Sequence, residues 1–475
     1  MRRSSWLGLI ALAVIACGKD EKKQCNPTAQ TGCSTAQICE TVENGAAPAC
    51  FDPVVVQGKV FDLATQAAIS GARLVALDPN RAPVSTIALS GVDGTYKLTV
   101  PSQRKADGTP LAAAVTLRAD AAAYQSFPSG LRLALPIDVT GATHATGAWT
   151  VHSSLTDVGL IKLPAGAGTA ALHGKAAVPS DHGGVLVVAE TGSPAKGTTA
   201  IADRTGAYAI FNLGPGDYTV TAYAHGENYT PASVTLAAGQ DAEVPLALAG
   251  ATTAAVNGSV NIVNGGQGTG TSVILVVEST FDPVLVRGDA PPGLRAPGSG
   301  SAPTITNAFS IDGVPDGKYV ALAAFENDFL VRDASNIGGT AISHIIVANG
   351  VADVSPQFKV TGALDVVSPG ANGPEQVTAA PTFTWVDDSS EKSYDVTVFD
   401  ALGDVAWHVT LPPVSGSANA SVAYGQTGAG VTSTIVAAQP LQPGMYYQFR
   451  AISKDIAGNA ISQTEDLKGV FVYQP

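Results

Sequence analysis

The segment Asp203–Tyr223, DRTGAYAIFNLGPGDYTVTAY, places the narrowest limits on how this chain can fold. Apolar and polar residues alternate along it, so that Tyr208 and Ile210 share one face of a first strand, and Tyr218 and Val220 share one face of a second. Residues two apart lie on the same side of a β-strand, so each strand has one face for a core and one for solvent. The LGPG sequence between the strands favours a tight connection, because glycine accepts unusual backbone angles and proline fixes φ. The segment therefore predicts two strands joined by a corner.

The same pattern occurs a second time, 101 residues further along the chain. The matching residues are Phe309, Ile311, Val314, Gly317, Tyr319 and Ala321, which repeat Tyr208, Ile210, Leu213, Gly216, Tyr218 and Val220 in spacing. After the first twenty residues no long window shows the spacing of an amphipathic helix. These observations predict an all-β protein built as a string of tandem β-sandwich modules.

The length and composition of the chain indicate several folded domains, and its net charge argues against a nucleic-acid partner. A chain of 475 residues is long enough for about three domains of average size, and small β-modules would raise that number. Charged residues make up only 14% and apolar residues 45%, so several cores can be buried. The net charge of −13 argues against a nucleic-acid partner, because phosphate binding needs clustered lysine and arginine.

The first residues have the features of an export signal. Basic residues at Met1–Arg3 precede the apolar run Trp6–Ala16, which is too short to span a bilayer but suits a signal peptide. The sequence Val14-Ile15-Ala16-Cys17 resembles the lipobox of bacterial lipoproteins. That resemblance implies a signal peptide over residues 1–16, lipidation of Cys17 and, since Gly18 rather than aspartate follows, an outer-membrane location. The alternative is an ordinary signal peptide with an incidental cysteine.

Residues 17–52 contain the lipidated cysteine, a charged tether and a cysteine-rich segment. The remaining cysteines are Cys25, Cys33, Cys39 and Cys50. In an exported chain four closely spaced cysteines predict two disulfides, for which three pairings are possible. Their spacing lacks the C-x2–4-C motif typical of structural zinc. We interpret the segment as a spacer. The alternative is a small domain that binds a ligand.

Three modules follow, over residues 53–165, 169–249 and 252–361. The first contains Gly58 in an alternating strand, then ISGARL, then DGTYKL from Asp93, and this order resembles the carboxypeptidase regulatory-like family, a transthyretin-like β-sandwich. Glycine inside a strand indicates close approach of another backbone or a bulge, and Asp93-Gly94 is a hairpin-turn signal. The second module keeps the D-x-x-G-x-Y motif of the family from Asp203.

The third module departs from that motif, with Thr304 where the second has Asp203 and Asn307 where it has Gly206. It also carries an insertion at residues 287–303, RGDAPPGLRAPGSGSAP, whose composition predicts a flexible, solvated loop. Its first three residues resemble the tripeptide displayed by integrin-binding proteins, which is the alternative interpretation.

The last segment, residues 362–475, shows a different strand pattern. Its LQPGMYY sequence, ending at Tyr447, resembles the L-x-P-G-x-x-Y pattern of fibronectin type III domains. The resemblance implies that the Tyr447 hydroxyl bonds back to the corner backbone. Trp385 alternates with Phe383 and is expected in the core. The lack of cysteines here favours this family over an immunoglobulin domain.

The sequence contains no recognisable catalytic constellation, so we expect a non-enzymatic protein without a metal or cofactor. It has no G-x-S-x-G, H-E-x-x-H or phosphate-loop motif. His144 and His152 could share a strand face and bind a metal, although Gly147 between them favours a turn. The residues Asp387, Asp388 and Glu391 could bind calcium, but a solvated acidic loop is the simpler interpretation.

We therefore predict a non-catalytic, lipid-anchored surface protein with a structural or adhesive role in the bacterial envelope. Its expected partners are the membrane, through the lipid, and an envelope protein or polysaccharide. A carbohydrate-binding protein is the main alternative, and it would need exposed rings among Trp149, Trp385, Trp407, Tyr124, Tyr223 and Tyr229. Two further functions fit the same sequence: an accessory protein of a secreted enzyme or export machine, and an enzyme whose site is assembled from distant residues.

Overall fold

The computed structural model of the chain describes most residues from Cys25 onwards. The described residues are 25–27, 30–78, 81–111, 114–132, 134–178, 184–250, 252–298, 301–324, 328–333, 342–414 and 418–475. They form 37 β-strands and three 3-10 helices, Glu43–Gly45, Val139–Gly141 and Glu278–Thr280. The prediction of an all-β chain of tandem β-sandwiches is confirmed. None of the helices among these residues is long and apolar enough to cross a membrane.

The cysteine-rich segment and the first module contain eleven of the strands. The segment that we call the collar, residues 25–52, pairs β1 (Ile38–Glu40) with β2 (Ala49–Phe51). Domain 1, residues 53–165, contains β3 (Val54–Asp62), β4 (Arg73–Leu77), β5 (Ala88–Leu89), β6 (Thr95–Val100), β7 (Ala114–Asp120), β8 (Ile137–Asp138), β9 (Thr143–Ala145), β10 (Ala148–Val151) and β11 (Val158–Leu160). One sheet has the order β11-β3-β10-β9 with β6 also on β3, and the other is β5-β4-β7-β8.

Domains 2 and 3 repeat one sheet plan. Domain 2, residues 169–249, contains β12 (Ala170–Lys175), β13 (Val185–Thr191), β14 (Lys196–Ala202), β15 (Ala207–Leu213), β16 (Gly216–Tyr223), β17 (Ala232–Leu236) and β18 (Asp241–Glu243). Domain 3, residues 252–361, contains β19 (Ala254–Ile262), β20 (Val273–Val277), β21 (Arg295–Ala296), β22 (Ala308–Val314), β23 (Gly317–Ala323), β24 (Leu330–Arg332), β25 (Ser343–Ala348), β26 (Val351–Ala352) and β27 (Gln357–Gly362). The sheets are β15-β12-β18 with β14-β13-β16-β17, and β22-β19-β27-β24 with β21-β20-β23-β25-β26.

Domain 4, residues 362–475, is a sandwich of a small and a large sheet. Its strands are β28 (Val366–Ser368), β29 (Glu375–Val377), β30 (Thr382–Val386), β31 (Ser393–Asp400), β32 (Val405–Leu411), β33 (Asn419–Ala423), β34 (Ser433–Val436), β35 (Tyr446–Lys454), β36 (Ala460–Gln463) and β37 (Val470–Tyr473). The sheets are β28-β30-β33 and β29-β37-β35-β31-β32-β34, with β36 on β35. Trp385 is fully buried between them, as predicted, and the Tyr447 hydroxyl accepts a hydrogen bond from the Gln442 amide at 2.8 Å.

The opening strand of each of the first three domains holds a glycine that no larger residue could replace without a backbone shift. A Cβ on Gly58, Gly174 or Gly258 would lie 2.1, 2.2 or 2.4 Å from a carbonyl oxygen of the segment running beside it. Across the antiparallel pair each glycine faces an aromatic ring, that of Tyr96, Tyr208 or Phe309 respectively. The Tyr96 hydroxyl donates to the carbonyl of Thr156 at 2.5 Å. The predicted close backbone approach at Gly58 is therefore confirmed, and it recurs in all three domains.

The corner after Leu213 joins two different sheets. β15 pairs with β12, whereas β16 pairs with β13, so these two strands do not form a hairpin. The same holds in domain 3, and the turn at Asp93-Gly94 also passes from one sheet to the other. The two strands joined by a corner at Leu213–Gly216 are confirmed, whereas the hairpin predicted at Asp93-Gly94 is wrong, because a two-residue turn signal does not specify which strands pair. Each corner is closed by a tyrosine: Tyr218 donates to the carbonyl of Gly214 at 3.0 Å, and Tyr319 donates to that of Pro315 at 2.8 Å.

Domains 2 and 3 each pack against the domain before them through an equivalent position. In domain 2 the side chain of Asn212 donates to the carbonyls of Ala121 and Tyr124 in domain 1, at 3.2 and 2.9 Å. In domain 3 the corresponding residue is Gly313, whose carbonyl accepts from the Gly226 amide of domain 2 at 2.6 Å. Both residues have positive φ, 64° and 63°, which asparagine and glycine adopt more readily than other residues. The tandem modules therefore dock against one another, which the sequence did not predict.

Domains 1, 3 and 4 also meet one another. Leu131, Leu285 and Phe399, one from each of these domains, form a small buried cluster. Side chains of domain 1 and domain 2, among them Leu77 and Leu186, join the core of domain 3. The four domains therefore share buried surface instead of projecting separately.

Candidate functional site

The collar is cross-linked by two disulfides and is bound to domain 1. The bonds are Cys25–Cys39 and Cys33–Cys50, which confirms the prediction of two disulfides and selects one of the three pairings. Cys17, the predicted lipidation site, and the signal peptide lie outside the described residues.

A buried carboxyl fixes the collar to the loop after β6. Glu40 accepts a hydrogen bond from the Ser102 amide at 2.7 Å, while its other oxygen is buried and has no donor among the described residues. Arg104 donates to the carbonyl of Asp52 at 2.9 Å, and its amide donates to the carbonyl of Thr41 at the same distance. Burial raises the pKa of the Glu40 carboxyl to about 7, although the Ser102 amide and the Arg104 charge lower it. The predicted spacer is thus a docked element.

The two histidines considered as metal ligands lie apart on either side of a turn. His144 is in β9 and its ring bonds Asp52 at 2.8 Å. His152 follows β10 and lies 3.8 Å from Asp157. Gly147, with φ of 75°, turns the chain between the strands, as the sequence favoured. Each histidine therefore has its own carboxylate partner, and the two do not form a shared site.

The acidic residues after Trp385 are used by domain 4 itself. Asp387 accepts from the Tyr394 hydroxyl at 2.9 Å, Asp388 accepts from the Ser453 hydroxyl at 2.9 Å, and the buried Glu391 accepts from the Val414 amide at 3.0 Å. Their oxygens point to separate donors, whereas calcium needs several oxygens converging on one point. Among the described residues, the one group of three or more potential ligands close enough for a metal is Cys25, Cys33 and Cys50. Their sulfurs belong to the disulfides.

Most of the aromatic residues considered for sugar stacking are inside the domains. Trp385, Trp407, Tyr223 and Tyr229 are buried. Trp149 and Tyr124 are partly buried and pack against the core of domain 1. A sugar-binding platform needs exposed rings, and the four buried residues do not provide one.

The insertion at residues 287–303 is the clearest correction to the sequence analysis. Ala290, Leu294 and Ala296 are buried in it, and Arg295–Ala296 forms β21 on the edge of a domain 3 sheet. The predicted flexible, solvated loop is therefore wrong for residues 287–296, whereas Gly298 and residues 301–303 are exposed. Composition did not reveal that the apolar residues between the glycines and prolines pack into the core clusters of domain 3.

The RGD tripeptide at the start of this insertion is not displayed. Arg287 lies mostly buried and donates to the carbonyls of Gly130 in domain 1 and Asp466 in domain 4. Asp289 accepts from the Thr199 hydroxyl of domain 2 at 2.7 Å. Instead of presenting a recognition sequence, these residues join domain 3 to all three other domains.

The residues that the sequence analysis missed are charges buried at domain junctions. Arg118 forms an ion pair with Asp120 at 2.9 Å and donates to the carbonyl of Thr199 in domain 2. Arg450 of domain 4 pairs with Asp466 and donates to the carbonyl of Leu285 in domain 3 at 2.8 Å. An arginine within an otherwise apolar strand, as in AVTLRAD and YYQFRAIS, was the available signal.

A cavity of about 490 Å³ opens between domains 1, 3 and 4. We call it the junction cavity. Its polar lining includes Gln125, Arg132, Arg287, Asp289 and Asp466. Because it combines buried charged groups with a volume suited to a small molecule, it is the best candidate binding site among the described residues.

Comparison with known proteins yields structural similarities alone. No protein-family model matches the chain, and no curated sequence is significantly similar to it. The Bacillus anthracis TIE protein is 10% identical over 88% of this chain and 72% of its own, with a TM-score of 0.16. The shaft pilin SpaA from Lactobacillus rhamnosus GG is 11% identical over 42% of this chain and 98% of its own, with a TM-score of 0.18.

A tetra-tandem repeat from the extending region of a large adhesion protein is 15% identical, over 88% of this chain and 100% of its own, with a TM-score of 0.13. Pilins and adhesion-protein repeats thus occur among the structures to which this chain is similar. At these TM-scores the similarity does not extend to how the domains of the chain are arranged.

Proposed function

We propose that this chain is a non-catalytic, lipid-anchored protein with a structural or adhesive role in the bacterial cell envelope. The observation that carries the proposal is the joining of four β-sandwiches into one packed body by buried side chains. The residues considered as metal ligands are each bonded to, or paired with, neighbouring structural groups. Such a body suits a load-bearing or presenting role better than a flexible tether does.

The proposed attachment supports this role. Residues 14–17 have the pattern of a lipobox, and the docked collar begins at Cys25, shortly after the cysteine to be acylated. A lipid on Cys17 would hold the body close to a membrane, and we propose the outer membrane. Modules of the carboxypeptidase regulatory-like and fibronectin type III families remain our interpretation of domains 1 to 3 and domain 4. The burial of the candidate aromatic residues favours this proposal over carbohydrate binding.

The attachment is tested by membrane fractionation of cells that produce the full chain or the Cys17→Ala variant. We expect the full chain in the membrane fraction and the variant in the soluble fraction. Equal membrane association of the two would contradict the lipid anchor.

The role is tested by pull-down from envelope extracts with immobilised residues 25–475. We expect one or more envelope components to be retained. Retention of one specific protein in stoichiometric amount, either a secreted enzyme or a component of an export machine, would indicate the accessory-protein function. If no envelope component, neighbouring cell or matrix is retained, the structural or adhesive role fails.

A further inference from the structure

Arg132 is a buried cation without an anionic partner among the described residues. Only 7% of the residue is exposed. Its Nη2 donates to the carbonyl of Gly159 at 2.6 Å, but its Nε and Nη1 are buried and donate to no described group. The ionisable group that interacts with it is the phenol of Tyr446. A buried charge in this state costs free energy unless another group compensates it.

Two aromatic rings hold the guanidinium in place. The Arg132 Cζ lies 4.7 Å from the ring centre of Phe127 in domain 1 and 5.1 Å from that of Tyr446 in domain 4. Cation–π contacts of this kind attract the guanidinium to the faces of the two rings. They fix the position of the cation but leave its remaining N–H groups without acceptors. Burial lowers the pKa of Arg132 to about 10, so the group is still charged at neutral pH.

The junction cavity, which Arg132 lines, has a second arginine with an unused donor. The Arg287 Nε is buried with no hydrogen bond to any described group, and it lies 3.9 Å from Asp466. Asp466 is already paired with Arg450. Two arginines therefore share one carboxylate, and Arg132 adds a further positive charge to the lining. The Oε1 atom of Gln125 is also buried and has no donor within the described part of the chain.

The other aspartates of the cavity are engaged elsewhere. Asp78 accepts from the Ala82 amide at 2.9 Å, and Asp289 accepts from the Thr199 hydroxyl and lies 3.9 Å from Arg81. Asp282 accepts from the amides of Val284 and Leu285 at 2.8 and 3.1 Å. They are therefore not the missing partners of Arg132. A ligand that brought an anionic group would supply acceptors and charge together, since arginine binds carboxylates and phosphates through several N–H groups.

We propose that the junction cavity binds a small organic anion, a carboxylate or phosphate ester that also carries hydroxyl groups. Its acidic group bonds Arg132 and Arg287, and a hydroxyl donates to Gln125. The volume of about 490 Å³ is enough for an acid of monosaccharide size. Such a ligand contacts domains 1, 3 and 4 at once, so its binding would tighten the packing between them.

The test is calorimetric titration of the full chain with glucuronate, with glucose 6-phosphate and with neutral glucose. We expect saturable binding of at least one of the two acids and at least tenfold weaker binding of glucose. Arg132→Met should weaken binding of the acid at least tenfold, and Arg132→Lys, which keeps the charge, should weaken it less. Lys97→Gln, which removes an exposed cation of β6, is the matched control and should leave binding unchanged.

A crystal soaked in bromide gives a measurement that does not depend on the choice of ligand or on the folding of a variant. We expect an anomalous peak within about 4 Å of the Arg132 guanidinium. The relative affinities for glucuronate and glucose 6-phosphate show whether the cavity binds a carboxylate or a phosphate ester. Equal binding of glucose and the acids, or the absence of both acid binding and the bromide peak, would overturn the proposal and leave water as the partner of Arg132.

Discussion

At the scale of single residues, the junctions depend on polar groups that burial makes costly. Glu40 between the collar and domain 1 is one, and Asp328 near the junction of domains 3 and 4 is another. Burial raises the pKa of the Asp328 carboxyl to about 6. Both carboxyls hold a proton more tightly in the folded protein than in the unfolded chain. Their contribution to stability is therefore complete at low pH and is lost as the pH rises through the folded pKa.

Glu40→Gln should reduce the pH dependence of collar docking. The groups facing Glu40 are the Ser102 amide and the guanidiniums of Arg104 and Arg204. Between pH 4.5 and 7 the wild-type carboxyl loses its proton against the cost of burial, so docking weakens as pH rises. We expect the glutamine variant to gain about 3 kcal/mol at pH 8 and little at pH 4, since one unit of pKa corresponds to about 1.4 kcal/mol. Hydrogen exchange of the Ser102 amide against pH measures this.

Glu43→Gln, a change at a nearby carboxylate that is not buried, is the control and should leave the pH profile unaltered. A profile for Glu40→Gln identical to that of the wild type would show that Glu40 is not the titrating group.

At the scale of elements, the repeated glycine and its aromatic partner organise the opening strand of each domain. The alternation of apolar residues and the position of Gly58 were enough to predict the strands and the close approach. The pairing of β15 and β16 with different partners was not predictable, because a turn sequence is local whereas sheet membership depends on distant strands. The burial of residues 287–296 was missed for the same reason.

Gly174→Ala should destabilise domain 2 by about 3 kcal/mol, in the range of overpacked core substitutions. The added methyl carbon would lie 2.2 Å from the carbonyl oxygen of Val244, and backbone has to move to relieve the contact. Gly214→Ala is the matched control, since its nearest neighbour is the Tyr218 hydroxyl at 3.9 Å and we expect a change within about 0.5 kcal/mol. The measurement is the urea concentration at the unfolding midpoint of each variant. Equal midpoints for the two variants would contradict the tight packing at Gly174.

Reduction of the disulfides should release the collar and leave the domain cores folded. The bonds link residues 14 and 17 positions apart, and closing loops of about 15 residues contributes about 3 kcal/mol each in the chain-entropy model. Limited proteolysis in dithiothreitol should therefore cut within residues 25–52 and spare domain 1. Unfolding of domain 1 together with the collar would show that its core depends on the disulfides.

At the scale of the whole molecule, packing between domains is what sequence analysis could not foresee. Arg118 bonds a residue 81 positions away, and Leu131, Leu285 and Phe399 come from three domains. Contacts at such separations leave no periodic trace in the sequence. The number and type of the modules follow from local patterns, whereas their mutual packing depends on surfaces that only the folded domains possess.

Small-angle X-ray scattering of residues 25–475 tests this packing most directly. A single domain of about 100 residues has a radius of gyration of about 13 Å, so four packed domains should give about 25 to 30 Å. Four such domains in a row should give a value above about 40 Å. We predict the smaller value; a radius of gyration above about 40 Å would contradict the account of one packed body.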